Sequence, residues 1–316
     1  MATVNDAQFI EKYLGHCKRQ NKTQKTIENY KSAINIFNQF LQSKHANFLT
    51  VDGMENKDLL EEFLDYLMND RKVTYARVKI YFSALSNLYA WLEYNGHIKK
   101  NIVLTVRKMY VREYKNGYVP ATRKTIPVEE MSKFLNSIMD VKTKAICLLL
   151  IKTGIRRNEL VNIDVDDIDW KQRSIMLKSI FHKRSNPLVF FDEETEGILQ
   201  QWLNRRKYLV DKDEKALFVS DFGKRLKRSG ITNAVTKWTS FLDYHDAKSK
   251  KLEDHFTPHN FRHCFTDYLR QAGCPREIIK ELRGDKQREP IDIYTHISDS
   301  ELRRSYLAYM PKFNVY

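Results

Sequence analysis

Nothing in this chain of 316 residues approaches the roughly 18 consecutive apolar positions that a membrane-crossing helix needs; the longest apolar run, Ala145 to Ile151, suits a buried helix. The four cysteines, Cys17, Cys147, Cys264 and Cys274, show no C-x-x-C pairing, so reduced and mostly buried thiols are expected. Met1 to Asp6 carries neither the basic stretch nor the apolar core of a secretory leader, and the expected location is cytoplasmic. Internal repeats and low-complexity segments are missing too. What is plentiful is positive charge: 54 Lys+Arg against 40 Asp+Glu gives a net +14, a field that favours polyanions such as nucleic acid. Charge alone supports only non-specific binding. A hydrophobic content of 42% is enough for ordinary cores, and the length leaves room for about two domains.

The first hundred residues read as helices. Apolar stripes run through Phe9, Ile10, Tyr13, Leu14 and Cys17, then Ile27, Tyr30, Ile34, Phe37 and Leu41, then Leu59 to Leu67, then Val78 to Leu92, where Asn95-Gly96 gives a stop signal. These four helices predict a small bundle over residues 1–98, whose Lys22, Lys25, Lys31, Arg71, Lys72, Arg77 and Lys79 can track a phosphate backbone. From 99 to 124 the periodicity fades. Arg107, Lys108, Arg112, Arg123 and Lys124 stand there among further cations against the single acid Glu113, which reads as a basic connection lying along a polyanion. A second domain, 125–316, opens with Pro127 and Glu129-Glu130 at a helix start. Helices at about 145–152, 193–209 and 231–242 are expected, with strands at 174–177 and 188–191, a further strand at 217–219, and a mobile polar loop from Tyr244 to Asp254.

Thr257 to Arg270 concentrates the chemistry. Threonine followed by Pro258 starts a helix on which His259, Arg262, His263, Thr266 and Arg270 share one face, while Phe261, Phe265 and Tyr268 pack on the other. The polar face is left to meet something. A zinc helix is a poor reading: His259 and His263 have the spacing, but Asn260 replaces the general-base glutamate and Arg262 repels a cation. Asp164 to Asp169 fails as a calcium loop because Ile168 occupies a ligand position and the required glycine is missing. Metal-free phosphoryl transfer by a tyrosine fits better. A phenol is a weak nucleophile, so fixed donors must neutralise the phosphate and a proton must reach the leaving alkoxide. Arg156, His259, Arg262, a lysine of the 178–187 turn and Tyr294 supply those parts.

Thr153-Gly154-Ile155-Arg156-Arg157-Asn158-Glu159-Leu160 is similar to the first arginine box of the tyrosine recombinases of the lambda-integrase and Xer type. Pro258-His259-Asn260-Phe261-Arg262-His263 resembles their second box, and Ile293-Tyr294-Thr295-His296 their tyrosine box. The resemblance implies a mainly α fold with a small β-sheet: an N-terminal helical, SAM-like core-binding bundle and an α+β catalytic domain. It implies Tyr294 as nucleophile, Arg156, Arg262 and His259 on the phosphate, and Glu159 and His263 in support. It further implies a 3′-phosphotyrosyl intermediate on duplex DNA at a specific recombination site, without cofactor or metal. A tetramer on DNA joined through the C-terminal helix, Asp299 to Met310, would complete a nucleoid-associated recombinase.

The family carries His or Trp nine residues before its tyrosine, where this chain has Asp285 in Leu282-Arg283-Gly284-Asp285, a form similar to an archaeal branch of the family. An ionised carboxylate can take the tyrosine proton or orient a cation, but it cannot donate to phosphate. For the general acid, Lys183 in the turn is preferred and Lys178 is the alternative. A silent DNA-binding protein and a type IB topoisomerase-like enzyme remain the other readings.

Overall fold

A computed structural model describes residues 6–43, 56–111, 124–178, 184–211, 213–249, 251–285 and 297–315. The chain divides into two compact units, Met1–Val119 and Pro120–Tyr316. Among the described residues no helix is long and apolar enough to cross a membrane.

The first unit contains α1 (Asp6–Arg19), α2 (Gln24–Ser43), α3 (Lys57–Asp65, prolonged by a π-turn at Tyr66–Asp70), α4 (Tyr75–Tyr94) and α5 (Val103–Tyr110). Asn56 starts α3 by accepting from the backbone N–H groups of Asp58 and Leu59, satisfying donors that a helix start leaves open. Aromatic rings fill the core: Phe63 lies 4.8 Å from Phe37, 5.3 Å from Phe40 and 6.0 Å from Phe82 between ring centroids. Helix α5 lies within 99–124, the segment read from the sequence as a basic connection. Val103 and Val106 are fully buried against this core. Asn101 donates to the carbonyl of Ser86 at 2.9 Å and Arg107 to its hydroxyl at 3.1 Å, which fixes the segment onto α4.

The second unit is built around α7 (Val141–Thr153), which follows α6 (Val128–Ser137). From Ala145 to Thr153 every α7 side chain is buried, so this helix needs neighbours on all sides. Around it lie α6, α9 (Glu193–Arg206), α10 (Arg228–Phe241) and α11 (Pro258–Gln271). The short α8 (Arg157–Val161), α12 (Arg276–Arg283) and α13 (Asp299–Tyr309) complete the helices described there. Strands β1 (Ile168–Asp169), β2 (Ser174–Met176) and β3 (Leu188–Phe190) form an antiparallel sheet in that order, with Ile175 opposite both Ile168 and Val189. The expected strand at 217–219 exists only as isolated bridges, Asp164 to Ala216 and Val219 to Arg225. In the 244–254 connector, Asp246 N–H donates to the carbonyl of Asp254 at 2.8 Å and Ser249 Oγ donates to the Asp254 carboxylate at 2.6 Å.

Asp164 accepts from Lys178, just after β2, and from Arg225, just before α10. Burial pushes its carboxyl up, but the two cations outweigh burial and hold it below the usual carboxylate range. A carboxyl whose folded pKa is depressed contributes stability above its unfolded pKa of about 3.9 and loses that contribution as pH falls through the folded value. The melting temperature is therefore expected to fall as pH drops below about 4, and Asp164→Asn is expected to flatten that fall while lowering stability at neutral pH. Calorimetry across pH checks this; an unchanged acid limb in the variant would refute it.

Candidate active site

The first arginine box forms a sharp reversal. Thr153 ends α7, and Gly154 caps it at φ 59°, in the left-handed region that favours glycine. A Cβ there would stand 2.4 Å from Phe265 Cδ1, so a side chain is excluded by packing as well. Two residues on, Arg156 is the N-cap of α8: its backbone N–H donates to Glu159 Oε2 at 2.7 Å and its Nη1 to Oε1 at 3.0 Å. Glu159 thus holds Arg156 by both backbone and side chain.

Helix α11 carries the second box. Asn260, fully buried, accepts from the Thr257 backbone at 2.9 Å and donates to the carbonyl of Lys124 at 3.0 Å. Tyr268 Oη donates to the carbonyl of Ile126 at 2.6 Å. With the helix seated in this way, Arg262 points into the interior and is 3% exposed. The expectation of an open polar face fails at this residue. Its Nη1 donates to the carbonyl of Gly154 at 2.5 Å, and its Nη2 to the carbonyl of Arg283 at 2.9 Å and to Asp285 Oδ1 at 2.8 Å.

Asp285 draws the cations together. Its Oδ1 faces Arg156 Nη2 at 3.6 Å as well as Arg262, and Arg283 Nε stands 3.2 Å from Oδ2. A fourth guanidinium, from Arg184, donates to the carbonyl of Leu282 at 2.8 Å and to Glu159 Oε2 at 3.4 Å. Sequence reasoning missed Arg184, which lies in the 178–187 turn. The residues joined by these contacts are four guanidiniums against two carboxylates, an excess of positive charge in a largely buried place. Burial pushes Arg262 down to about 10, the cations Arg156 and Arg283 add to the fall, and Asp285 opposes it. Burial likewise pushes Arg184 down to about 10 against the pull of Glu159. Both stay protonated at neutral pH, and the cost of burying them is relieved by an arriving anion.

His259 and His263 sit one turn apart on α11 with rings edge to face, centroids 4.8 Å apart; His259 is exposed and His263 half-buried. Lys178 is engaged elsewhere, with Asp164 and, at 3.4 Å, Asp167. Burial lowers its pKa, yet these carboxylates outweigh burial and leave it raised, which makes it a reluctant proton donor. Tyr294 and Lys183 lie outside the described residues, as do Arg112 and Arg123 of the basic set. In the first unit Lys25, Arg71, Lys72, Arg77 and Lys108 are exposed. Lys22 stands 5.8 Å from the Tyr30 ring centroid, while Arg107 is half-buried against Ser86. Lys124, in the second unit, stands 5.5 Å from the Tyr244 ring centroid.

The profile of the phage integrase family matches residues 124–301, more than half of the chain. The chain belongs to the phage integrase family. A second profile, the phage integrase N-terminal SAM-like domain, matches residues 9–96. Among curated relatives, the chain is 26% identical over 321 residues to tyrosine recombinase XerC of Oceanobacillus iheyensis, with 97% of each chain covered. It is 24% identical over 293 residues to tyrosine recombinase XerD of the same organism, covering 91% of this chain and 92% of that one. Two solved structures share its fold. The Tn1549 transposon integrase in complex with circular intermediate DNA has a TM-score of 0.66 at 17% identity, over 94% of this chain and 98% of that one. The XerH site-specific recombinase bound to palindromic difH substrate, in a post-cleavage complex, has a TM-score of 0.66 at 20% identity, over 98% and 82%. Membership of this family makes the chain a tyrosine site-specific recombinase.

Proposed function

We propose that this chain cleaves and rejoins duplex DNA at a specific recombination site by forming a 3′-phosphotyrosyl ester through Tyr294. One observation carries the reading: a single oxygen, Asp285 Oδ1, is met by Arg262 at 2.8 Å and by Arg156 at 3.6 Å, so two guanidiniums converge on the place of one anionic oxygen. A non-bridging phosphate oxygen has the same charge and the same appetite for paired N–H donors.

The roles then follow from the chemistry. Tyr294 gives its phenolic proton to solvent as its Oη attacks phosphorus, the bond to the 5′-oxygen breaks, and the phosphate charge that builds up is held by Arg156 and Arg262, with His259 donating a further hydrogen bond. Glu159 and Asp285 keep the two arginines aimed, and His263 flanks His259 on the same helix. The leaving 5′-oxygen takes a proton from Lys183, a role that the ion pairs of Lys178 make it poorly suited to fill. Because the phosphodiester energy is kept in the protein ester, a 5′-hydroxyl of the partner duplex can reverse the step without ATP or metal. Both the helical unit, which includes α5, and the catalytic unit meet the duplex; Lys22, Lys25, Arg71, Lys72, Arg77, Arg107, Lys108, Arg112, Arg123 and Lys124 contact its backbone. Exchange between two duplexes brings four protomers together through the C-terminal helix.

The test is covalent capture. The chain is incubated with host genomic DNA, trapped adducts are mapped, and a nicked suicide duplex is made at the mapped position. The wild-type chain is expected to accumulate an adduct on that duplex and Tyr294→Phe none; exchange of strands between two such duplexes is expected as well. Binding without any adduct would replace this reading with a silent DNA-binding protein, and relaxation of supercoils without exchange with a nicking and closing enzyme. Full activity in Lys183→Ala would move the acid role to Lys178.

A further inference from the structure

We propose that Arg184 is a positioning residue for cleavage: a buried strut that fixes Glu159 and the Leu282–Asp285 turn together, and so fixes both arginines that face the phosphate. This rests on the reading of Arg156 and Arg262 as the phosphate-binding pair.

Every donor group of this guanidinium has a partner. Its Nε donates to the carbonyl of Asn186, its Nη2 to the carbonyl of Leu282 at 2.8 Å and its Nη1 to Glu159 Oε2 at 3.4 Å. The side chain is 8% exposed, so it is not placed to touch DNA itself. Ser185 N–H donates to the carbonyl of Gly284 at 3.3 Å, a second tie between the same two segments. Gly284 caps α12 at φ 60°, and a Cβ on it would come within 2.2 Å of Arg184 Cγ and 2.5 Å of Nε. The stem of Arg184 thus occupies the space that glycine leaves open. One residue later stands Asp285, whose carboxylate meets both Arg156 and Arg262. Glu159, at the other arm, holds Arg156. One buried fork therefore reaches both carboxylate-bearing segments that aim the reactive arginines. A planar guanidinium can span three acceptors in fixed directions, whereas a lysine ammonium cannot.

The experiment compares two nicked suicide duplexes of the mapped sequence, one with an ordinary scissile phosphodiester and one with a methylphosphonate at that position. The methylphosphonate carries no negative charge, so its cleavage depends less on correctly aimed guanidiniums. With the full chain at saturating enzyme, Arg184→Gln is expected to slow capture on the phosphodiester by about 100-fold, the cost of a misplacement near 1 Å. On the methylphosphonate the loss is expected to stay under about tenfold, since misaimed cations cost less against a neutral centre. The ratio is taken on one preparation, so an unfolded fraction cancels. Arg184→Lys, which keeps the buried charge and the stem, carries the same comparison where the glutamine variant does not accumulate, and it is expected to stay impaired. Equal losses on both substrates, wild-type rates in Arg184→Gln, or full recovery in Arg184→Lys would each overturn the proposal. No adduct with the wild-type chain would instead overturn the recombinase reading beneath it.

Discussion

Arg262→Ala is expected to lower the rate of covalent capture by on the order of 10³-fold or more, the scale reached when a fixed donor to a developing oxyanion is removed. The argument rests on how this guanidinium is held. Two of its arms are spent on the carbonyls of Gly154 and Arg283, which orient it, and the edge that meets Asp285 Oδ1 is the one shared with Arg156. Alanine removes both the orientation and the charge. Arg262→Lys is expected to recover little, because one ammonium cannot reach two carbonyls and an oxyanion in a plane. Stability suffers less than activity: two buried carbonyls lose partners at about 1–3 kcal/mol each, while the cost of a buried cation disappears. Capture on the suicide duplex, run well below each variant's melting temperature, separates the two effects. A rate within tenfold of wild type would remove Arg262 from the phosphate.

Much of this site could be read from the chain because its parts are local. Thr153-Gly154 and Thr257-Pro258 are helix punctuation, and punctuation fixes where Arg156 and Arg262 fall relative to a helix start. The pairing of Arg156 with Glu159 is likewise a three-residue affair. What stayed hidden depends on contacts across long stretches of sequence. Arg184 meets Leu282, far along the chain, and nothing in a basic turn marks which cation will be buried. Asp285 was visible as an unusual residue, but its partners Arg156 and Arg262 come from two distant segments. Periodicity also misjudged α11 and α5 for opposite reasons. On α11 it assigned Arg262 to a polar surface, although long-range acceptors draw that guanidinium inside. On α5 two buried valines among lysines and arginines gave too narrow a stripe to register.

The largest expected effect on stability lies away from the chemistry, at Lys152. This lysine has no exposed surface, and its ammonium lies 2.5 Å from Asp192, 2.7 Å from Glu194 and 2.8 Å from the carbonyl of Pro311, with the Phe313 ring centroid at 4.5 Å. It joins the central helix α7 to the start of α9 and to the tail that follows α13. Glu194 in turn accepts from the backbone N–H groups of Phe313, at 3.0 Å, and Asn314, at 2.5 Å. Lys152→Met keeps the length and apolar stem but leaves two carboxylates facing each other without a cation, and breaking such a buried arrangement costs about 3–5 kcal/mol. For a unit of this size that corresponds to a fall in melting temperature on the order of 10 °C. Adding Asp192→Asn and Glu194→Gln removes the stranded charges, so the triple variant is expected to regain a large part of the loss. Calorimetry of the three proteins decides between two accounts. If the triple variant melts no higher than Lys152→Met, the loss comes from packing and from release of the tail, and the electrostatic account of this junction is wrong.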